Sequence, residues 1–258
     1  MTNLPFAKKS LGQHWLTDFQ TLSAMCEAAE IMSADKVLEV GPGLGTLTEL
    51  LVERADAVTA VEFDATLASE LPHRVPDSNL TIIQQDILSF DLTTLSKDYK
   101  LVANIPYYLT SNLIRTISDS SNPPRIAALL VQKEVAERVA AKPGSMSLLS
   151  VSAQFYWEVT LGQIVPAGMF TPAPKVDSRI LVLHRRKTPL FEIDDKAFFR
   201  LVKAGFSNRR KTLLNSLSGG LVLPKPKVLA LLEAAHLKPN ARPQELSIQE
   251  WYSLFKAL

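Results

Sequence analysis

From residue 36 to residue 132 the chain alternates short β-type runs with helical runs, and this alternation constrains its fold more than any other feature. "KVLEV" (36–40), "AVTAVEF" (57–63), "NLTIIQQD" (79–86), "YKLVAN" (99–104) and "RIAALLVQ" (125–132) read as strands. "TLTELLVERA" (46–55) and the stretch from Asp64 to Arg74 carry helical spacing between them. Such a rhythm predicts a parallel sheet with helices on both faces. Two further runs, "WEVTLGQIV" (157–165) and "SRILVLHRR" (178–186), have only a Pro-rich loop between them. With no helix to make a crossover, they are expected to pair antiparallel at the sheet edge. The expectation is an α/β fold with a mostly parallel seven-stranded sheet.

After "RRKTP" (185–189) the texture changes. "DDKAFFRLVKAGF", "RRKTLLNSL", "KPKVLALLEAAH" and "SIQEWYSLFKAL" all place apolar residues three and four apart, punctuated by Gly219-Gly220, Pro224 and Pro243. This predicts two domains, 1–187 with the sheet and 188–258 a small all-helical one. Charge divides the same way. Residues 1–184 carry 14 Lys+Arg against 20 Asp+Glu, and residues 185–258 carry 14 against 6. A basic helical part points to a polyanion partner, although solvated helices are also often basic.

At 258 residues and 47% apolar, the chain can bury a core without covalent staples. Its one cysteine, Cys26, cannot form an internal disulfide and suits a reducing compartment. No apolar run is long enough to cross a membrane, and "MTNLPFAKKSLGQHWL" lacks the apolar stretch of a signal peptide, so a cytoplasmic location is expected. The four histidines, at 14, 73, 184 and 236, are scattered and suggest no metal centre.

The first strand runs into "EVGPGLGTLTEL", where Gly41, Gly43 and Gly45 allow a tight turn and close backbone approach to a ligand. A tight connection alone needs no more than this. The spacing is G-x-G-x-G after Glu39, not the G-x-G-x-x-G of dinucleotide enzymes. Glu62 ends the second strand, where a carboxylate can accept both ribose hydroxyls, and Asp86 follows the third, where it can accept from an adenine amino group. Together they fit S-adenosylmethionine, a nucleoside with a sulfonium and no pyrophosphate.

The fourth strand stops at Asn104-Ile105-Pro106-Tyr107. The exocyclic amine of adenine is a poor nucleophile because its lone pair is delocalised into the ring. The Asn104 carbonyl and a backbone carbonyl can accept its two protons and turn the lone pair toward a methyl group. Tyr107 can stack on the base, a contact worth roughly 1–3 kcal/mol. Phe170, in the loop "GMFTPAPKVDS" (168–178), can close the other face of the base or pack within the loop.

"KKSLGQHWL" (8–16), "EVGPGLGTLT" (39–48), Glu62, "QQDIL" (84–88), "NIPYYLTS" (104–111), "FTPAPKVDS" (170–178) and "FSNRRKTLLNSL" (206–217) occur in this order. As a set they resemble the ribosomal small-subunit RNA adenine dimethyltransferases, from residue 8 to near the C-terminus. The resemblance implies a class I S-adenosylmethionine-dependent, Rossmann-like fold with a C-terminal helical domain. It also implies N6,N6-dimethylation of two adjacent adenosines in the 3′-terminal hairpin loop of 16S rRNA, within the small subunit or its precursor. By the same resemblance His14, Leu16, Gly41, Glu62, Asp86 and Asn104 hold the donor, with "LGQHWL" as a lid over its methionine end; Gly43, in the same turn as Gly41, is also expected to bind it. Trp15 and Ile105 stand where the family more often has Phe and Leu. Arg209, Arg210 and Lys211, expected at a helix start capped by Ser207-Asn208, are predicted to contact the RNA backbone, with Lys8, Lys9, Arg185 and Arg186. The chain is expected to be a monomer. A large-subunit rRNA adenine methyltransferase of the antibiotic-resistance type shares the acceptor motif, and a non-catalytic subunit-assembly factor would use the basic domain without chemistry. A bare nucleotide-binding domain would leave the Asn-Ile-Pro-Tyr element unexplained.

Overall fold

The computed structural model describes residue 8, residues 12–208 and residues 210–258. In chain order its first half comprises β1 (Trp15–Leu16), α1 (Phe19–Ala28), β2 (Lys36–Val40), α2 (Thr46–Arg54), β3 (Ala57–Glu62), α3 (Ala65–Arg74), β4 (Leu80–Gln84), β5 (Lys100–Asn104), α4 (Thr110–Asp119) and β6 (Ile126–Gln132). There follow α5 (Lys133–Val139), α6 (Leu148–Tyr156), β7 (Trp157–Val165), β8 (Phe170–Thr171), β9 (Ser178–Arg185), α7 (Asp195–Phe206), α8 (Leu213–Leu221), α9 (Lys225–Ala234) and α10 (Ile248–Ala257).

Seven strands form one sheet in the order β4-β3-β2-β5-β6-β9-β7. The first five run parallel, pairing β3 with β4, β2 with both β3 and β5, and β5 with β6. A strand covered on both faces needs apolar side chains at successive positions rather than alternate ones. Accordingly Leu101, Val102 and Ala103 of β5 and Ala127 through Val131 of β6 are fully buried. The last two long strands are neighbours at the edge, as the missing crossover predicts. The later one, β9, lies between β6 and β7 and runs antiparallel to β6 from Ile126↔His184 to Gln132↔Ser178. Strand order reverses between β2 and β5, and a crevice opens at the carboxyl ends of strands at such a switch point.

Four helices went unread in the sequence: α1, α4, α5 and α6. Asp18 caps α1 by accepting the Thr21 N–H at 2.9 Å, and α1 buries Leu22, Met25 and Cys26 in the sheet's core. In α4 the buried side chains, Thr110, Leu113, Ile114 and Ile117, fall on one face at helical spacing. At the opposite end of β5 from Asn104, the buried Lys100 places Nζ 2.8 Å from Asp35 Oδ2 and donates to the Glu30 carbonyl. A charge buried there requires such partners.

The chain divides into two compact units. One holds the residues up to Ala136 with Glu158–Arg185, and the other holds Glu137–Trp157 with Arg186–Leu258. The expected boundary after residue 187 had left 137–157 with the sheet. Aromatic packing and hydrogen bonds place that segment in the helical unit. Phe155 stacks on Phe198 at 5.2 Å, Tyr156 Oη donates to Asp195 Oδ2 at 3.0 Å, and the Gly144 and Met146 amides both donate to the Gln244 carbonyl. Gly219-Gly220, expected to break the helical pattern, lie inside α8. A Cβ on Gly220 would come within 2.9 Å of the Ala204 Cα, so the glycine is what lets α7 and α8 approach. In the same way Gly205 leaves room for the buried ring of Trp251.

Candidate functional site

A cavity of about 190 Å³ opens at the carboxyl ends of β2, β3 and β5. Its floor is the turn from β2 into α2. Gly41 has φ +68°, a conformation that disfavours any side chain, and a Cβ there would meet nothing within 4 Å, so the glycine leaves that space open. Gly43 (φ +58°) is crowded instead: a Cβ would sit 3.0 Å from the Trp15 ring. The Thr46 hydroxyl donates to the Leu16 carbonyl at 2.9 Å, so the segment 12–16 is tied directly to the turn.

Three carboxyl groups line the cavity in different states. Glu62 is buried at the end of β3, where Oε2 accepts the Gly43 N–H at 3.1 Å and Oε1 accepts the Asp64 N–H at 2.8 Å. Burial pushes its pKa up, and the two backbone donors oppose that rise. Glu39 is 1% exposed, and its Oε2 has no hydrogen-bond partner among the described residues. Burial pushes its pKa to about 8, against the nearby Thr48 hydroxyl and reinforced by the Glu62 charge. In the sequence Glu39 is only the residue before the glycine turn; what marks it out is its burial. Asp86 is exposed, and its Oδ1 accepts the Leu88 N–H at 2.9 Å, capping a single helical turn over Ile87–Ser89.

Asn104 and Tyr107 reach the same cavity from the end of β5. Ile105 is buried beneath them, and Pro106 leads into a single turn, Tyr107–Leu109. Tyr107 is half-buried, with Oη 2.9 Å from Ser178 Oγ. Burial raises its pKa, only partly countered by the Ser178 hydroxyl, so the phenol is neutral at neutral pH. The His14 ring stacks against Tyr107 at 5.9 Å and 23°, and His14 Nδ1 lies 2.6 Å from the Pro172 carbonyl. Phe170 is not in a loop. It forms β8, whose two residues pair antiparallel with β1 through Leu16↔Phe170 and Trp15↔Thr171. It borders the cavity while only 4% exposed, because Leu16 and the sheet's core close around it.

The structure therefore brings His14, Leu16, Gly41, Gly43, Glu62, Asp86, Asn104, Tyr107 and Phe170 to one cavity. A nucleoside fits the chemistry of these walls, with carboxylates for hydroxyls and amines, an open glycine turn, and an amide beside an aromatic ring.

The basic residues are placed otherwise. Arg210 and Lys211 are exposed, but they lie in the turn between α7 and α8 rather than at a helix start. Asn208 caps that turn: Oδ1 accepts the Arg210 N–H at 3.2 Å and its carbonyl accepts the Lys211 N–H at 3.0 Å. Helix α8 begins only at Leu213, whose N–H is taken by the Ala241 carbonyl. Arg209 and Lys9 lie outside the described residues. Lys8 pairs with Asp64 at 2.7 Å. Arg185 pairs with Asp98 at 2.6 Å and donates to the Pro123 carbonyl, and Arg186 Nε donates to the Gln154 carbonyl. Among the described residues no cluster of three or more His, Cys, Asp or Glu is arranged to hold a metal ion, and no helix is long and apolar enough to cross a membrane.

The chain is similar to known proteins along nearly its whole length. The family model described as "Ribosomal RNA adenine dimethylase" matches residues 6–258. A curated relative from Dehalococcoides mccartyi (strain CBDB1), named ribosomal RNA small subunit methyltransferase A, is 42% identical over 96% of this chain and 87% of its own. One of the same name from Ligilactobacillus salivarius is 41% identical over 97% and 90%. Among solved structures, a dimethyladenosine transferase from Plasmodium falciparum superposes with a TM-score of 0.82 at 27% identity, covering 93% of this chain and 96% of that one. The 23S rRNA methyltransferase ErmE superposes with a TM-score of 0.74 at 30% identity, covering 95% and 99%.

Proposed function

The chain belongs to the ribosomal RNA adenine dimethylase family, and from that premise we propose that it dimethylates the N6 amines of two adjacent adenosines in the 3′-terminal hairpin loop of 16S rRNA, with S-adenosylmethionine as donor. One observation carries this reading: Asn104 and Tyr107 share a cavity with Gly41, Glu62 and Asp86. A donor site and a base site in one space are what direct methyl transfer requires.

The cavity fits the donor on its own chemistry. The unpartnered oxygen of buried Glu39 suits a cationic ligand. Glu62 stands where ribose hydroxyls are accepted, Asp86 where an adenine amine is, and Gly41 leaves the backbone accessible. His14 and Leu16 complete the wall from the N-terminal segment. When bound, the donor supplies a methyl group made electrophilic by its sulfonium.

The residues of the chain do the rest. The Asn104 carbonyl accepts an N–H of the target amine and holds its lone pair toward the methyl. Tyr107 stacks on the base, and Phe170 stiffens the far wall. Placing nucleophile and electrophile in line lowers a barrier by about 7–11 kcal/mol in favourable cases. Asn104 orients the amine and does not take its proton, which leaves to water after transfer. The helical unit, with its basic surplus, binds the RNA backbone through Arg209, Arg210 and Lys211. The protein acts as a monomer on the small subunit or its precursor, in the cytoplasm.

The test is mass spectrometry of rRNA after undermethylated small subunits are incubated with the protein and labelled donor. Two labelled methyl groups on each of two adjacent adenosines are expected. Label confined to large-subunit rRNA, or none at all, would overturn the proposal. The ErmE likeness makes the large-subunit outcome the competing one, and primer extension on both rRNAs separates the two because a dimethylated adenine cannot pair.

A further inference from the structure

Tyr107 sits in a single turn, closed by the Leu109 N–H on the Pro106 carbonyl, and no side chain caps it. Such a turn fixes the backbone but leaves the ring a choice of staggered χ1 wells. The direction of the ring must therefore be set from outside the turn. Among the described residues the His14 ring lies against it and the Ser178 hydroxyl meets its phenol oxygen.

Ser178 is unusually well placed to hold something. It opens β9 opposite Gln132, the last residue of β6, and is fully buried. The preceding residue is anchored twice: the Asp177 carbonyl accepts the Lys133 N–H at 2.9 Å, and its Oδ1 accepts the Ala167 N–H at 3.0 Å. The following residue, Arg179, donates from Nε to the Gly162 carbonyl at 3.0 Å. The Ser178 hydroxyl thus projects from a stretch anchored on both sides and meets Tyr107 Oη at 2.9 Å, 71 residues earlier in the chain. Nothing in the transfer chemistry uses this hydroxyl.

We infer that Ser178 is a positioning residue for the acceptor base: it tethers the Tyr107 phenol so that the ring presents the plane on which adenine stacks. The inference rests on the reading of Tyr107 as the base platform. Without the tether the ring samples its other wells, and the stack-competent fraction of the enzyme falls. The donor, held by Glu62 and Asp86, is unaffected.

A double-mutant cycle on methyl transfer to undermethylated small subunits tests this, with donor Kd measured by calorimetry for each variant. Ser178→Ala and Tyr107→Phe each remove one end of the same bond. Each is expected to lower kcat/KM for the subunit by about two- to tenfold, the usual worth of one hydrogen bond, with donor Kd unchanged. The double variant is expected to lose no more than Tyr107→Phe alone. Wild-type kcat/KM in Ser178→Ala would overturn the inference, as would losses that multiply in the double variant. If Ser178→Ala does not fold, Tyr107→Phe decides alone, because a wild-type rate there shows that the bond contributes nothing. Tyr107→Ala separates the two levels of argument. Wild-type transfer in Tyr107→Ala removes the base platform itself. A large loss there, with Tyr107→Phe and Ser178→Ala intact, removes only the tether.

Discussion

The Glu62 carboxylate accepts the Gly43 N–H at 3.1 Å, so the acid expected to hold a ribose also braces the glycine turn beside it. Its other oxygen holds the Asp64 N–H at the start of α3. The proposed donor site and the local fold thus depend on one side chain.

Glu62→Ala is therefore expected to weaken the donor by more than tenfold and also to lower the unfolding midpoint. It removes the acceptor of two backbone N–H groups, each bond worth roughly 0.5–1.5 kcal/mol. Asp86→Asn, at an exposed residue that caps only one short turn, should weaken the donor with little change in stability. Calorimetry for binding and thermal melts for stability, run on both variants, check the contrast.

Glu39 predicts a pH dependence. In the free protein its pKa is about 8, so it is mostly protonated at neutral pH. A cationic donor favours the carboxylate, so binding releases a proton and tightens as pH rises toward 8. Titrations in buffers of different ionisation enthalpy measure the release, and Glu39→Gln should abolish it. The stability effect has the opposite slope. The folded pKa lies above the ordinary glutamate value of 4.5, so the folded state holds more protons between these values. Glu39's stabilising contribution is complete below about pH 4.5 and is lost as pH rises through about 8. Urea midpoints against pH should show a flatter curve for Glu39→Gln.

Asn104→Ala should abolish methyl transfer while leaving donor Kd within about tenfold of wild type, since a neutral hydrogen bond contributes only ~0.5–1.5 kcal/mol. Single-turnover assays with bound donor and undermethylated subunits measure it. Wild-type turnover would remove Asn104 from the acceptor role.

Neutralising Arg210 and Lys211 together should flatten the salt dependence of subunit binding. Each lost phosphate contact on single-stranded RNA reduces the slope of log K against log salt by about 0.7. An unchanged slope places both residues outside the interface.

Gly220→Ala inverts the usual preference for alanine in helices. The added methyl would sit 2.7 Å from the Ala204 Cβ, and overpacking of this kind costs about 1–3 kcal/mol. A lower urea midpoint with an unchanged m-value is the expected result.

The sheet was legible because its central strands are mostly apolar runs, and β2, β5 and β6 lie within a residue of where those runs suggest. Helix α4 was missed even though Leu113, Ile114 and Ile117 carry its period, in a ten-residue element whose other positions are mostly polar. Strand β8 has two residues, too few for any period, and exists only because β1 pairs with it. The glycine pair misled because a close helix contact, invisible locally, outweighs glycine's poor helix propensity. Of the site, the glycine turn, Glu62, Asp86 and the Asn-Ile-Pro-Tyr element could be read from strand ends. The state of Glu39 and the bond between Tyr107 and Ser178 depend on burial and on contacts far apart in sequence. The basic triplet was legible as charge, but its helix start was not, since Leu213 finds its partner only at Ala241.

Because β9 lies between β6 and β7, the sheet waits for the ribosome. Before β9 has been synthesised β6 has only β5 to pair with, so its other edge, along Ala127 through Val131, has no strand to meet its amides. That edge is a template for pairing with another nascent chain. It stays open until more than forty further residues have been synthesised and Ser178 arrives to begin sealing it. The strand that covers this hazard is the same one that carries the hydroxyl facing Tyr107.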